Sequence, residues 1–302
     1  MRSELPLHEP RRGIAGRSGL GEIVDPVVFV AVLGAAAMHA GWNAVVKVSL
    51  DRFSSILLLA LASAVIGLVL MPFFPFPEPA SWPWIVASAL IHMGYKLALV
   101  RAYEHGDLSQ VYPLARGTAP LVVAIAGAAF LGETTTVLKL LAIVSIALGV
   151  CLMALKGGAV RAMPPKAFAY ALATAAFTAS YTLVDGLGAR VSGSASGYIF
   201  ALTVLDGALT CAYAVATRGS GILGRLAPAW RSGFVMGALS LASYWIAVWA
   251  FTKAPIALVA ALRETSVLFA VLIAVVFLKE RAGPSRIAAA ALITCGVVLM
   301  RL

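Results

Sequence analysis

Charge is what this sequence has least of. Only 12% of its 302 residues are Asp, Glu, Lys or Arg, about half the roughly 25% of an ordinary soluble domain. Amides are scarcer: Asn43 is the only Asn and Gln110 the only Gln. So few polar groups cannot cover a water-facing surface, which argues against a soluble enzyme, a nucleic-acid-binding domain or a secreted module. The three cysteines, Cys151, Cys211 and Cys295, lie inside apolar runs without metal-ligand spacing and read as small hydrophobic residues. The four histidines (His8, His39, His92 and His105) form no His-Glu-x-x-His pair. There is no Gly-x-Ser-x-Gly elbow and no phosphate-binding lysine loop. Gly219-Ser-Gly221-Ile-Leu-Gly224 matches Gly-x-Gly-x-x-Gly but follows no strand. No metal, cofactor or nucleic-acid partner is expected.

What is present is apolar. Hydrophobic residues make up 61% of the chain and the mean hydropathy is +0.95. The net charge of +10 fits basic loops beside anionic lipid headgroups. Runs long enough to span a bilayer are expected at Val27–Val48, Phe53–Phe73, Trp84–Val100, Leu108–Leu131 and Leu138–Leu155. A second set follows at Ala167–Val184, Gly197–Thr217, Gly233–Thr252, Pro255–Leu278 and Ile287–Met300. Residues 1–25 read as a disordered basic tail, 26–155 and 167–302 as two five-helix units, and 156–166 as the linker between them. The prolines at 72, 75, 77 and 79 end the second span, and Trp82 and Trp84 suit a membrane interface at the start of the third.

The two units repeat. An offset of 147 lays Phe130-Leu131-Gly132-Glu133 on Phe277-Leu278-Lys279-Glu280, Gly149-Val150 on Gly296-Val297, Arg116 on Arg263 and Thr118 on Thr265. An offset of 139 lays Ala37, Ala40 and Trp42 on Ala176, Ala179 and Tyr181. Five is odd, so the second unit enters the membrane upside down. The fold expected is an all-α integral membrane protein of ten transmembrane helices, built as two five-helix inverted-topology repeats. Such repeats place a site at their interface near the bilayer midplane, where rocking can expose it to either side.

These residues resemble the drug/metabolite transporter superfamily, in particular its ten-helix EamA-type permeases, over about residues 27–302. The turns at Glu133 and Glu280, each followed by a helix carrying Gly-Val, carry the resemblance. So does His39-Ala-Gly-Trp42-Asn43-Ala-Val-Val-Lys47 in the first span. The resemblance implies a secondary transporter of a small metabolite, often an amino acid and usually moved outward, in a bacterial inner membrane. An intramembrane enzyme or a non-transporting structural or sensory protein are the alternatives. The partners expected are the small-molecule substrate and the lipid bilayer.

Charges inside the spans narrow the chemistry. Lys96, Arg116 and Arg263 lie well within apolar runs, and each costs about 2.5–3.5 kcal/mol at a helix centre unless it faces protein or water. Asp206 and Glu264 are the acids expected inside spans. Three cations against two acids leave one positive charge for an anionic group, such as that of an amino acid or small organic acid. The alternative is neutralisation inside the protein. Glu264, with Asp206, is the first candidate for charge balance or proton coupling. Helical spacing puts His39, Asn43 and Lys47 on one face, His92 and Lys96 on another with Tyr95 alongside, and Tyr112 one turn before Arg116. Trp245 and Trp249 share a face next to Tyr244, and Tyr181 stands where the first unit has Trp42. The expected substrate-binding residues are therefore His39, Trp42, Asn43, His92, Tyr95, Lys96, Arg116, Tyr181, Tyr244, Trp245 and Arg263. Glu133 and Glu280 are expected to cap the helices that follow them.

Orientation is read two ways. Eight Lys and Arg fall on the side of the termini and 12 on the other, so the positive-inside rule puts the termini outside. The resemblance implies cytoplasmic termini.

Overall fold

The computed structural model describes residues 25–46, 51–106, 108–133, 136–153, 163–276, 279 and 283–302. The basic tail, Lys47 and Glu280 lie outside them, as do Asp107 and most of the linker. Within them the chain is helical, with no strand. Its α-helices are α1 (Pro26–Val46), α2 (Arg52–Leu70), α3 (Trp82–His105), α4 (Leu108–Phe130), α5 (Val137–Leu152) and α6 (Pro165–Val191). They continue with α7 (Ala195–Arg218), α8 (Gly221–Leu226), α9 (Trp230–Phe251), α10 (Ile256–Arg263), α11 (Ser266–Val276) and α12 (Pro284–Leu299). Seven stretches are long and apolar enough to cross a membrane, and Leu114–Phe130, Val137–Leu152 and Pro284–Leu299 are shorter apolar helices. The outer surface carries apolar side chains such as Val65, Leu68, Ile125 and Phe130, as expected of a lipid-facing wall.

Four expectations need correction. The third span continues past Val100 to His105, where Arg101 and Glu104 pair one turn apart and keep that end of the helix in water. The sixth continues past Val184 to Val191, because the acid that ended the apolar run, Asp185, is itself buried in protein. The ninth is broken at Glu264-Thr265 into α10 and α11, although neither Pro nor Gly stands there. The connection between the expected spans Gly197–Thr217 and Gly233–Thr252, left outside both, holds the short helix α8.

The helices pack in a pattern that the two units share. α1 packs on α9, α10 and α11 of the second unit, and α6 packs reciprocally on α3 and α4 of the first. The unit-to-unit pairs α2–α7, α5–α12 and α4–α10 lie across the middle. Each first helix is thus exchanged into the opposite unit, so neither unit has a complete core alone. The register is visible atom by atom between α5 and α12. A Cβ on Gly149 would stand 2.6 Å from Ile293 Cγ1 and 2.9 Å from the Ala289 carbonyl, and one on Gly296 would stand 2.6 Å from Ile146 Cγ1 and 2.7 Å from the Ala142 carbonyl. Every one of those pairs is related by the offset of 147. Ser145 Oγ donates to the Leu292 carbonyl at 2.8 Å across the same separation of 147 residues. Small residues and serine-to-carbonyl bonds hold helices together where lipid supplies no hydrophobic drive. Ser63 Oγ reaches Gly237 O at 3.1 Å, and Ser243 Oγ reaches Ala35 O at 2.7 Å. Gly149→Ala and Gly296→Ala are expected to cost similar amounts, about 1–3 kcal/mol each by overpacking. Thermal unfolding in detergent should show matched losses for the two variants.

Helix ends are tied by specific groups. Glu133 caps a different helix from the one expected: its Oε1 accepts from Ile256 N of α10 at 3.1 Å, whereas Thr136 caps α5 by accepting from Lys139 N. Glu133 can reach α10 because the turn at Gly132, φ +63°, folds its side chain back toward Gly127. Arg190 of α6 bonds the same carboxylate at 3.0 Å and the Phe251 and Ala254 carbonyls at 2.9 and 3.2 Å. This end therefore joins α4, α6, α9 and α10.

At the opposite end Asp51 caps α2, accepting from Ser54 N at 3.2 Å and pairing with Arg218 at 3.1 Å. Partial burial pushes the Asp51 carboxyl up, but the bonds from Ser54 and Arg218 outweigh it and hold the group below its usual value. A carboxyl depressed on folding stabilises above its unfolded value, and that contribution disappears as pH falls through the folded value. Asp51→Ala is expected to cost about 1 kcal/mol at neutral pH and almost nothing in acid, as thermal unfolding at the two pH values would show.

Candidate substrate site

The site lies where α4 meets the break between α10 and α11, with α6 alongside. At the break the backbone tightens: Glu264 N and Thr265 N bond back three residues, to Ala261 O at 3.0 Å and Leu262 O at 3.1 Å. A tightened turn inside a helix marks a hinge or a functional strain point. It turns Arg263 and Glu264 into the interior together, with both buried.

Arg116 of α4 takes Glu264 in a two-toothed ion pair, Nε to Oε2 at 3.0 Å and Nη2 to Oε1 at 2.9 Å. Arg263 is 9% exposed and makes no ion pair among the described residues. Its Cζ stands 4.9 Å from the Tyr244 ring centroid in a cation–π contact. The crevice between them is lined by Arg116, Arg263, Glu264, Pro120, Thr178 and Thr182 and encloses about 10 Å³, room for the centre of a single water. Thr178 and Thr182 donate their hydroxyls to the Thr174 and Thr178 carbonyls at 2.8 and 2.7 Å, which leaves their oxygens free to accept. By the offset of 139 they stand where the first unit has His39 and Asn43. His39 lies in the field of both guanidiniums. Asn43 Nδ2 bonds the His39 carbonyl at 2.8 Å.

Behind Tyr244 is an aromatic and acidic cluster. His92 stacks on Tyr181 with centroids 4.1 Å apart and meets Tyr244 edge-on at 5.7 Å. Tyr95 meets Tyr181 at 5.6 Å. Asp185, fully buried, accepts from Tyr198 at 2.9 Å and from Tyr244 through a short hydrogen bond. Sequence reasoning missed Asp185 because the apolar run stops at Val184. The clue was one turn back, since Tyr181 occupies the place of Trp42 inside a span. With Asp185 counted, the acids inside the described spans number three, which corrects the expected surplus of one positive charge.

The structure separates the remaining expected residues from this centre. Lys96 bonds both Asp206 oxygens at 2.7 and 2.6 Å, together with Thr210 Oγ1 at 2.7 Å, and so joins α3 to α7. Trp245 turns away from Tyr244, as neighbours about 100° apart on a helix must. Its Nε1 donates to Ser196 Oγ at 2.9 Å, and its ring packs on Phe200 and Phe74. Trp42 sits edge-on to His39 at 5.1 Å and packs against the cluster of Phe53, Leu57 and Met236. The Tyr112 side chain lies outside the described residues.

Set beside known proteins, the sequence matches the EamA-like transporter family over residues 27–155 and again over 165–302. The chain belongs to that family. It is a multi-pass integral membrane protein of a transporter fold, made of two EamA repeats. No curated protein is significantly similar to it in sequence. Among solved structures 28 chains match. One, described only as the crystal structure of a protein, has a TM-score of 0.72 at 15% identity, covering 90% of this chain and 94% of that one. At that identity the likeness speaks for the EamA fold alone, and the substrate has to be argued from the crevice.

Proposed function

We propose that this EamA protein is a secondary transporter of a small carboxylate-bearing metabolite, an amino acid or organic acid, whose anionic group is held by Arg263. The observation that carries this reading is a buried guanidinium with no carboxylate partner among the described residues, facing a crevice with the accepting hydroxyls of Thr178 and Thr182. A guanidinium stays charged at any physiological pH and presents a fork that fits a carboxylate. Thr178 and Thr182 are placed to accept from an ammonium or hydroxyl of the same substrate.

The seven long and three short apolar stretches are read as ten spans in two inverted repeats, in a bacterial inner membrane. About 10 Å³ admits no metabolite, so this conformation is closed, and loading requires α10–α11 and α6 to part from α4. The break at Glu264-Thr265 supplies the hinge, and rocking of the repeats supplies alternating access. An uptake and efflux screen in proteoliposomes against amino acids, organic acids, phosphonates and cationic drugs tests the reading. Carboxylate flux that Arg263→Gln abolishes is expected. Activity confined to cationic drugs would overturn it.

A further inference from the structure

Asp185 has no part in the reading above, yet it is 0% exposed in the middle of the bundle. Its partners are neutral hydroxyls. Tyr198 donates to one oxygen and Tyr244 to the other, and the Ser88 hydroxyl lies nearby. Ser88 in turn meets His92 Nδ1 at 3.1 Å through its hydroxyl and at 3.0 Å through its carbonyl. The titratable and charged groups facing Asp185 are His92 from α3, Tyr198 from α7 and Tyr244 from α9. Beyond them stand Arg263 of α10, 4.9 Å from the Tyr244 ring centroid, and the Arg116–Glu264 pair between α4 and the break. On α6 itself are Tyr181, stacked on His92, and Arg190, turned away to Glu133.

Tyr244 is thus held between a carboxylate at its hydroxyl and a guanidinium at its ring. Among the described residues the buried charges form three couples: Lys96 with Asp206, Arg116 with Glu264, and Arg263 with Asp185 through Tyr244. That count is balanced. An anion arriving at Arg263 unbalances it by one negative charge inside the membrane, which is costly. Adding one proton to Asp185 restores the balance.

We propose that Asp185 is the proton-binding carboxyl of this transporter, ionised while Arg263 is bare and protonated while an anion occupies it, so that one proton crosses with each anionic charge. The inference rests on the reading of Arg263 as the anion site. A hydronium ion from the aqueous side gives one O–H proton to an Asp185 oxygen and leaves as water. The tyrosine hydroxyl that donated to that oxygen rotates and accepts instead. Linkage makes the effect reciprocal: the proton favours the anion by the factor with which the anion favours the proton. Asp185 lies six residues from the end of α6, about 9 Å along the axis at 1.5 Å per residue. The route to water is therefore short at the end carrying Glu133 and Arg190.

Infrared spectroscopy of the full-length protein in liposomes reads this without a known substrate, because Arg263→Gln imitates the arrival of an anion. Near pH 7 the protonated-carboxyl band of Asp185 should be absent from the unsubstituted protein. It should appear in Arg263→Gln and vanish again in Arg263→Gln/Asp185→Asn. A band in both proteins, a band in neither, or one that Asp185→Asn leaves in place overturns the proposal. His92→Gln in the Arg263→Gln background should leave the band; its loss would place the proton on His92 instead. Should the single variants fail to accumulate, the double variant is expected to recover, since it removes both charges, and an additive loss would overturn the coupling. Carboxylate flux that survives Arg263→Gln would sink the anion site itself, a result separable from the infrared one.

Discussion

Arg116→Gln is expected to destabilise the folded protein by about 3–5 kcal/mol, the range found when one partner of a buried ion pair is removed. The loss comes less from the missing attraction than from Glu264, which stays buried (4% exposed) with two oxygens that the guanidinium had satisfied. Taking away Glu264 as well should therefore restore most of it. Arg116→Gln/Glu264→Gln leaves two amides that can bond each other, and replacing a buried pair by neutral groups is often close to neutral in stability. Thermal unfolding of purified protein, with membrane abundance as the parallel reading, checks this. A double variant as unstable as Arg116→Gln alone would mean that the pair is not what holds α4 to the α10–α11 break.

Arg116 and Arg263 stand at equivalent places in the two repeats but differ in what surrounds them. The offset of 147 that matches the arginines sets Gly117 opposite Glu264, so only the second unit carries a carboxylate beside its arginine. Adjacent helix residues point about 100° apart, and Glu264 cannot serve its own neighbour. It reaches across the pseudo-two-fold to Arg116. Gly117 serves packing instead, since a Cβ there would stand 2.6 Å from Cys151 Sγ. Duplication made a symmetric pair of cations, and a single Gly-for-Glu difference leaves one neutralised and the other open.

How much of this could be read from the sequence follows from which forces act locally. The repeat register was legible because Gly149 with Gly296, Arg116 with Arg263 and Glu133 with Glu280 recur at one spacing. Span limits were legible where Pro, Gly or charge meets water. Asp185 was not, since a charge at the end of an apolar run reads as a boundary whether it faces solvent or two tyrosine hydroxyls. The break at Glu264-Thr265 carries no Pro or Gly signal, and the pull of Arg116 on Glu264 is seen only once α4 and α10 are side by side. Lys96 illustrates the same limit: its depth in the third span was plain, but its partner is 110 residues away. Trp245 is directed elsewhere for a reason that is not local either: its indole N–H bonds Ser196 at the start of α7.

Arg263→Gln is expected to leave the fold nearly intact and to remove transport. No ion pair among the described residues is lost with it, and the cation–π contact to Tyr244 is worth about 0.5–2 kcal/mol. Abundance and unfolding temperature should therefore change far less than for Arg116→Gln. Function should change far more. Truncating one partner of a buried, hydrogen-bonded charge pair costs about 2–5 kcal/mol, which is roughly 30-fold or more in affinity at 1.4 kcal/mol per factor of ten. A carboxylate substrate that meets an amide in place of the guanidinium keeps at most one neutral hydrogen bond from residue 263. Arg263→Lys keeps the charge but loses the fork and should fall between the two. Counterflow of the best-transported carboxylate from the proteoliposome screen, measured for all three proteins at matched reconstitution, gives the order arginine, lysine, glutamine. Glutamine equal to arginine in a protein that folds normally would leave the bare guanidinium without a role and would send the search for the anion site to His39 and Asn43 on α1.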